Sequence, residues 1–181
     1  CRVIPNQNTL CVATYQGDMA PNFMVLGASV VLIGPDGERT LPLQEFYQLD
    51  GMKKNVLKPG EFLLKVVLPD NVMEREGCYQ KLRVRDSWDF PEAGIAASWV
   101  PGQIDSLTIA STALESIPRL HADVVGEHMA PSSSELDVLA LSKAIQKAVK
   151  PVNNTALPPR YRRNMVKTLT RRALQGLFGE R

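Results

Sequence analysis

"GIAASWVPGQIDSLTIAST", residues 94–112, decides the fold class. Two runs of small and β-branched apolar residues meet at Val100-Pro101-Gly102, so Gly94 to Val100 and Gln103 to Thr112 read as strands joined by a tight turn. Just upstream, Cys78 to Val84 alternates loosely and adds a third strand. Three strands in succession predict an antiparallel meander.

Working outward, the pattern changes in both directions. Toward the N-terminus, Met19, Phe23 and Leu26 recur at helical spacing behind Asp18, which reads as an N-cap, and Pro21 is tolerated near such a start. Gly27 supplies the left-handed exit, and Ala28 to Ile33 then reads as a buried strand. The turn Gly34-Pro35-Asp36-Gly37 sends Glu38 to Leu43 back as a hairpin partner. Gln44 to Leu49 is expected to be a short helix. The Pro59-Gly60 turn feeds Phe62 to Leu68, read as a long, mostly buried strand that Pro69 ends. Toward the C-terminus, Ser134 and Asp137 form a capping box for a helix carrying Leu136, Leu139, Ile145 and Val149 on one side, with Lys147 and Lys150 at its negative end. A Pro-rich linker, 151–159, leads to a last helix from Arg160 with Met165, Leu169, Ala173 and Leu177 as its apolar stripe. Mixed segments, then strands, then a helix pair define an α+β fold. The boundary falls between Pro69 and Cys78, dividing residues 1–73 from 74–181.

Composition narrows the function classes. A chain of 181 residues with net charge +2 supports one or two domains and argues against nucleic acid or an anionic membrane as partner. No apolar run approaches the roughly 20 residues of a membrane span. Three cysteines, an odd count at wide spacing, suit a reducing cytoplasm better than a disulfide framework. Opening on Cys1 rather than methionine, the chain is expected to be a fragment, a processed product or one segment of a larger polypeptide. HExxH, GxxxxGK[ST], GxSxG and GxGxxG are all missing, so self-contained catalysis is not expected. His121 and His128 are expected to be structural or surface groups. Arg160, Arg162, Arg163, Arg171 and Arg172 are expected to form the solvated face of the last helix. Cys78, in a strand, reads as a small buried hydrophobe.

Four segments carry a resemblance. "ATYQGDMAP" (13–21), "GERTLPLQEFY" (37–47), "LKPGEFLLKVVLP" (57–69) and "YQKLRVRDSWDFPEAGIAASW" (79–99) occur in an order and spacing that resemble the FAD-binding medium subunit of the molybdenum hydroxylases. That family includes xanthine dehydrogenase, carbon monoxide dehydrogenase and 4-hydroxybenzoyl-CoA reductase. "PPRYRRNMVKTLTRRAL" (158–174) is similar to its closing helix. The resemblance implies the C-terminal part of an FAD-binding domain over 1–73, then a small domain like the carbon monoxide dehydrogenase flavoprotein C-terminal domain over 74–181. The latter would be a three-stranded antiparallel sheet packed on helices.

The implied function is an oxidoreductase subunit that passes electrons through FAD between iron-sulfur clusters and an external acceptor. The molybdenum cofactor would lie on a large partner subunit and 2Fe-2S clusters on a small one. Carried over residue by residue, the resemblance implies cofactor binding by Asp18, whose carboxylate can accept a hydrogen bond from a cofactor hydroxyl, by Leu63 packing on the flavin, and by Lys81 placing an ammonium near it. No residue is implied as an acid, base or nucleophile acting on substrate. The family's glycine-rich N-terminal half, which holds most of the pyrophosphate, is not in this chain, so other polypeptide is expected to complete the cleft. "SWDFPEAGIA" leans toward the 4-hydroxybenzoyl-CoA reductase branch, where a loop before the Asp18 helix holds a 4Fe-4S cluster. Cys1 and Cys11 are spaced much like the last two of its four ligands. They can equally be ordinary thiols. The alternative function is a non-catalytic assembly module that docks the other subunits.

Overall fold

The computed structural model describes residues 6, 8–86, 88–129 and 136–179. Helix α1 (Met19–Val25) leads into strand β1 (Ser29–Gly34), which turns through Pro35-Asp36 into β2 (Gly37–Pro42). Gly27 sits at φ 75° and makes the sharp exit from α1. A single helical turn, α2 (Leu43–Phe46), follows, and β3 (Phe62–Val67) returns along the other side of β1. These strands form an antiparallel sheet in the order β2-β1-β3.

A 3-10 turn over Asp70–Glu74 carries the chain into a second antiparallel sheet, of β4 (Glu76–Leu82), β5 (Ala93–Val100), β6 (Gln103–Thr112) and the short β7 (Arg119–Leu120), in that order. The expected meander is there, in register from Glu76 opposite Trp99 to Leu82 opposite Ala93. Three helices close the fold: α3 (Ala122–His128), α4 (Val138–Ala148) and α5 (Pro159–Phe178).

The second sheet is the middle layer. Alternate residues of β5 and β6 serve opposite faces: Ile95, Ala97, Leu107 and Ile109 join Leu141, Ile145, Val166 and Leu174 of the helices. Ala96 and Ala110 point the other way and meet Met24, Val25, Val30 and Leu32. Small side chains on a strand buried on both faces let helix α1 and the first sheet approach closely on one side and α5 on the other. The two sheets thus share a core.

Several expectations need correction. Strand β3 is an edge strand and not mostly buried: Phe62, Leu63, Leu64 and Val67 are exposed, and Val66 alone packs against the core. The second sheet has a fourth strand, β7. Asp137 is itself the N-cap of α4, accepting from the Ala140 amide at 2.8 Å, while Ser134 lies outside the described residues. Leu139 faces solvent and Leu141 takes the buried position. Arg162 does not join a solvated face; it is fully buried at the head of the stripe formed by Val166, Leu169 and Ala173. Among the described residues no helix is long and apolar enough to cross a membrane.

Two ionisable groups link this packing to pH. Glu61 receives both forks of the Arg39 guanidinium at 2.8 Å, and that pairing, with the Lys58 amide, holds its carboxyl at about 2 against an ordinary 4.5. Its stabilising contribution is present above pH 4.5 and lost as pH falls toward 2. Burial, reinforced by the charge on Arg119, pushes His121 down to about 4 from 6.5. A buried neutral imidazole stabilises the fold above pH 6.5, and that contribution is lost as pH falls to 4. The unfolding midpoint is therefore expected to decline in acid in two stages, and His121→Gln to remove the upper one. A midpoint that stays flat down to pH 4 in the unsubstituted protein contradicts this.

Candidate functional site

Asp18 is held by the second sheet although it belongs to the first helix. Tyr15 pairs through its backbone with Ala113 and Glu115, at 3.0 and 2.9 Å. The Thr112 hydroxyl donates to the Gly17 carbonyl at 2.9 Å, and Gln16 donates to the Pro91 carbonyl at 3.1 Å. The segment 15–18 is thereby laid across the ends of β5 and β6. Its carboxylate does not cap α1. Asp18 has helical backbone angles and no capping bond, because both of its oxygens are engaged elsewhere.

Those partners come from β4. The Tyr79 hydroxyl donates to Asp18 Oδ1 at 2.7 Å, and Lys81 Nζ lies 2.8 Å from Oδ2. Tyr79 and Lys81 are two apart on a strand, so they share one face of the sheet, and that face looks onto Asp18. The pair is not sealed: the Asp18 side chain is 41% exposed and that of Lys81 21%. A carboxylate offers about four lone-pair positions, two of which are used here. Oxygen lone pairs and ammonium protons thus remain for a ligand. In this partly wet setting the ion pair contributes roughly 0.2–1 kcal/mol to stability.

The loop from β4 to β5 extends the site. Asp89 accepts from the Val84 and Arg85 amides and from the Arg85 guanidinium, which hold its carboxyl at about 2. This knot presents Trp88 and Phe90 to solvent. A cleft of about 370 Å³ runs between the loop and the linker before α5, lined by Gln16, Val84, Arg85, Phe90 and Asn154 among others.

Of the residues singled out from sequence, Asp18 and Lys81 are brought into direct contact, whereas Leu63 stands in the other sheet, exposed on β3. Cys1 lies outside the described residues. Cys11 is half-buried with a free thiol, its amide bonded to Asp50 Oδ1 at 3.1 Å. Among the described residues no three His, Cys, Asp or Glu side chains gather as a metal site. Cys78 is half-buried against α5, its thiol directed at the Ala173 carbonyl, and burial raises its pKa. Sequence reasoning missed Tyr79, although the alternation that brings Lys81 to this face brings Tyr79 with it.

The chain as a whole is similar to known proteins. Residues 9–71 match the family described as the FAD binding domain in molybdopterin dehydrogenase. The chain is 29% identical over 163 residues to the carbon monoxide dehydrogenase medium chain of Afipia carboxidovorans, spanning 87% of this chain and 54% of that one. It is 35% identical over 91 residues to the aldehyde oxidoreductase FAD-binding subunit PaoB of Escherichia coli, spanning 48% of this chain and 28% of that one. The chain thus spans about half the length, or less, of these relatives. Its fold matches reconstituted CO dehydrogenase from Oligotropha carboxidovorans with TM-score 0.75 at 24% identity, over 87% of this chain and 55% of that one. It also matches quinoline 2-oxidoreductase from Pseudomonas putida 86 with TM-score 0.74 at 17% identity, over 91% and 56%.

Proposed function

We propose that this chain, whose residues 9–71 match the FAD binding domain family of the molybdopterin dehydrogenases, is part of the FAD-binding electron-transfer subunit of a molybdenum-containing hydroxylase or dehydrogenase. One observation carries the reading: Asp18 and Lys81, 63 residues apart in sequence, form a half-open acceptor and donor pair at 2.8 Å. Residues 1–73 would close the FAD-binding domain and 74–181 would form the small domain behind it.

FAD, when bound, would supply the electron exchange. The residues here bind and orient it. Asp18 accepts from a cofactor hydroxyl, and Lys81 sets a positive charge beside electron-rich cofactor atoms. Leu63 gives the flavin an apolar surface, which accounts for a leucine left exposed on an edge strand. This chain offers one wall of the cleft; the rest, with the phosphate-binding loops, comes from polypeptide outside it. Partners are a molybdenum-binding large subunit and a 2Fe-2S small subunit, in the cytoplasm. A 4Fe-4S cluster would take Cys1 and Cys11 as two of its four thiolates, with the other two supplied by polypeptide outside this chain. No observation among the described residues favours the assembly-module alternative.

The test is a visible spectrum and flavin titration of the complete complex. Unsubstituted complex is expected to carry FAD. Lys81→Met is expected to weaken it about tenfold and to lower the cofactor's midpoint potential by roughly 30 mV, the equivalent of 1.4 kcal/mol for a two-electron couple. A complex that purifies colourless and fails to take up added FAD contradicts the reading.

A further inference from the structure

We propose that Tyr79 is a positioning residue whose hydroxyl fixes the plane of the Asp18 carboxylate for the ligand that Asp18 receives. The inference rests on the reading of Asp18 as a cofactor acceptor. A carboxylate held by one donor swivels about its last torsion; one held at both oxygens from the same strand does not. Here Tyr79 takes Oδ1 at 2.7 Å and Lys81 takes Oδ2 at 2.8 Å.

Lys81 is a poor restraint by itself. Its ammonium sits on a flexible four-carbon stem, and the ligand competes for its protons. Tyr79 has a rigid ring, is half-buried, and gives its single O–H to Asp18. Burial, with the bond to Asp18, raises the phenol above its ordinary range, so it is a neutral donor near neutral pH.

The surroundings hold the phenol in place. Gly94 lies opposite Lys81 on β5, and a β-carbon there would come within 2.5 Å of the Tyr79 hydroxyl and 2.7 Å of Thr112 Cγ2. The glycine vacates the space that the phenol fills. Gly17, immediately before Asp18, does the same for the Tyr15 hydroxyl, which lies 3.3 Å from that of Tyr47. Asp18 is thus approached by a phenol on the protein side, with its exposed side left to the ligand.

The experiment is FAD titration of the deflavinated complete complex with Tyr79→Phe, Asp18→Asn and the double substitution, each checked by thermal unfolding. Tyr79→Phe removes only the oxygen and is expected to weaken FAD binding about tenfold with the fold intact. The double substitution is expected to bind no more weakly than Asp18→Asn alone, because the phenol acts through the carboxylate. Losses that instead add would mark Tyr79 as a packing residue and overturn the proposal, as would wild-type affinity in Tyr79→Phe beside a weakened Asp18→Asn. If Asp18→Asn keeps full affinity, the cofactor reading of Asp18 falls first and the role of Tyr79 with it.

Discussion

Asp18→Asn is expected to lower FAD affinity of the complete complex by between about tenfold and a hundredfold while leaving the fold nearly as stable as before. The affinity loss is that of a hydrogen bond to a charged acceptor, roughly 1.5–3 kcal/mol. The stability forecast follows from geometry. Had Asp18 capped α1, its replacement would unravel a helix end; instead its carboxylate makes no cap bond and is spent on Tyr79 and Lys81. Asparagine fills the same space, keeps one acceptor for Tyr79 and forfeits an ion pair worth at most about 1 kcal/mol. Unfolding and flavin titration on one preparation separate the two effects. Equal loss of both would make the residue structural.

Arg162→Met is expected to destabilise the chain by about 3–5 kcal/mol, the largest effect of any single substitution considered. The guanidinium is fully buried. It donates to the Glu92 carbonyl at 2.8 Å, to the Val152 carbonyl at 3.0 Å and to the Ala113 carbonyl, and lies 3.7 Å from the Glu92 carboxylate. Glu92 in turn receives the Thr155 hydroxyl and the amides of Ala156 and Leu157. One arginine thus pins the linker before α5, the start of β5 and the end of β6. Methionine fills the volume but leaves the carbonyls and the carboxylate buried without their counter-charge. Denaturant unfolding measures the loss; a shift below about 1 kcal/mol contradicts this role. Glu92→Gln, which keeps an acceptor and removes the charge, is expected to do less harm.

What the sequence made legible follows the strength of local signals. The hairpin at Pro35-Asp36 and the turn at Pro101-Gly102 appear where turn chemistry puts them. The α+β order is likewise written in strand and helix periods. Burial is less legible, because it depends on what lies opposite. Phe62 to Leu68 has the composition of a core strand, yet β1 pairs with only one of its edges and little covers its faces. Leu139 and Leu141 are equally apolar, and the packing of α4 against the rest of the core decides which is buried. The charge of Arg162 suggests solvent, although the residue sits seven before Leu169 on the apolar phase of α5 and is buried there. Asp18 suits a helix cap by residue type and stands at the N-cap position of α1, but its carboxylate turns to β4, a partner that nothing local reveals.

The most direct measurement is a structure of the complete complex with FAD bound. The predicted result places the cofactor within hydrogen-bond distance of the Asp18 carboxylate and the Lys81 ammonium, with Tyr79 still donating to Asp18 and Leu63 against the ring system. FAD bound elsewhere, with the Asp18 and Lys81 pair still closed on itself and facing solvent, contradicts it.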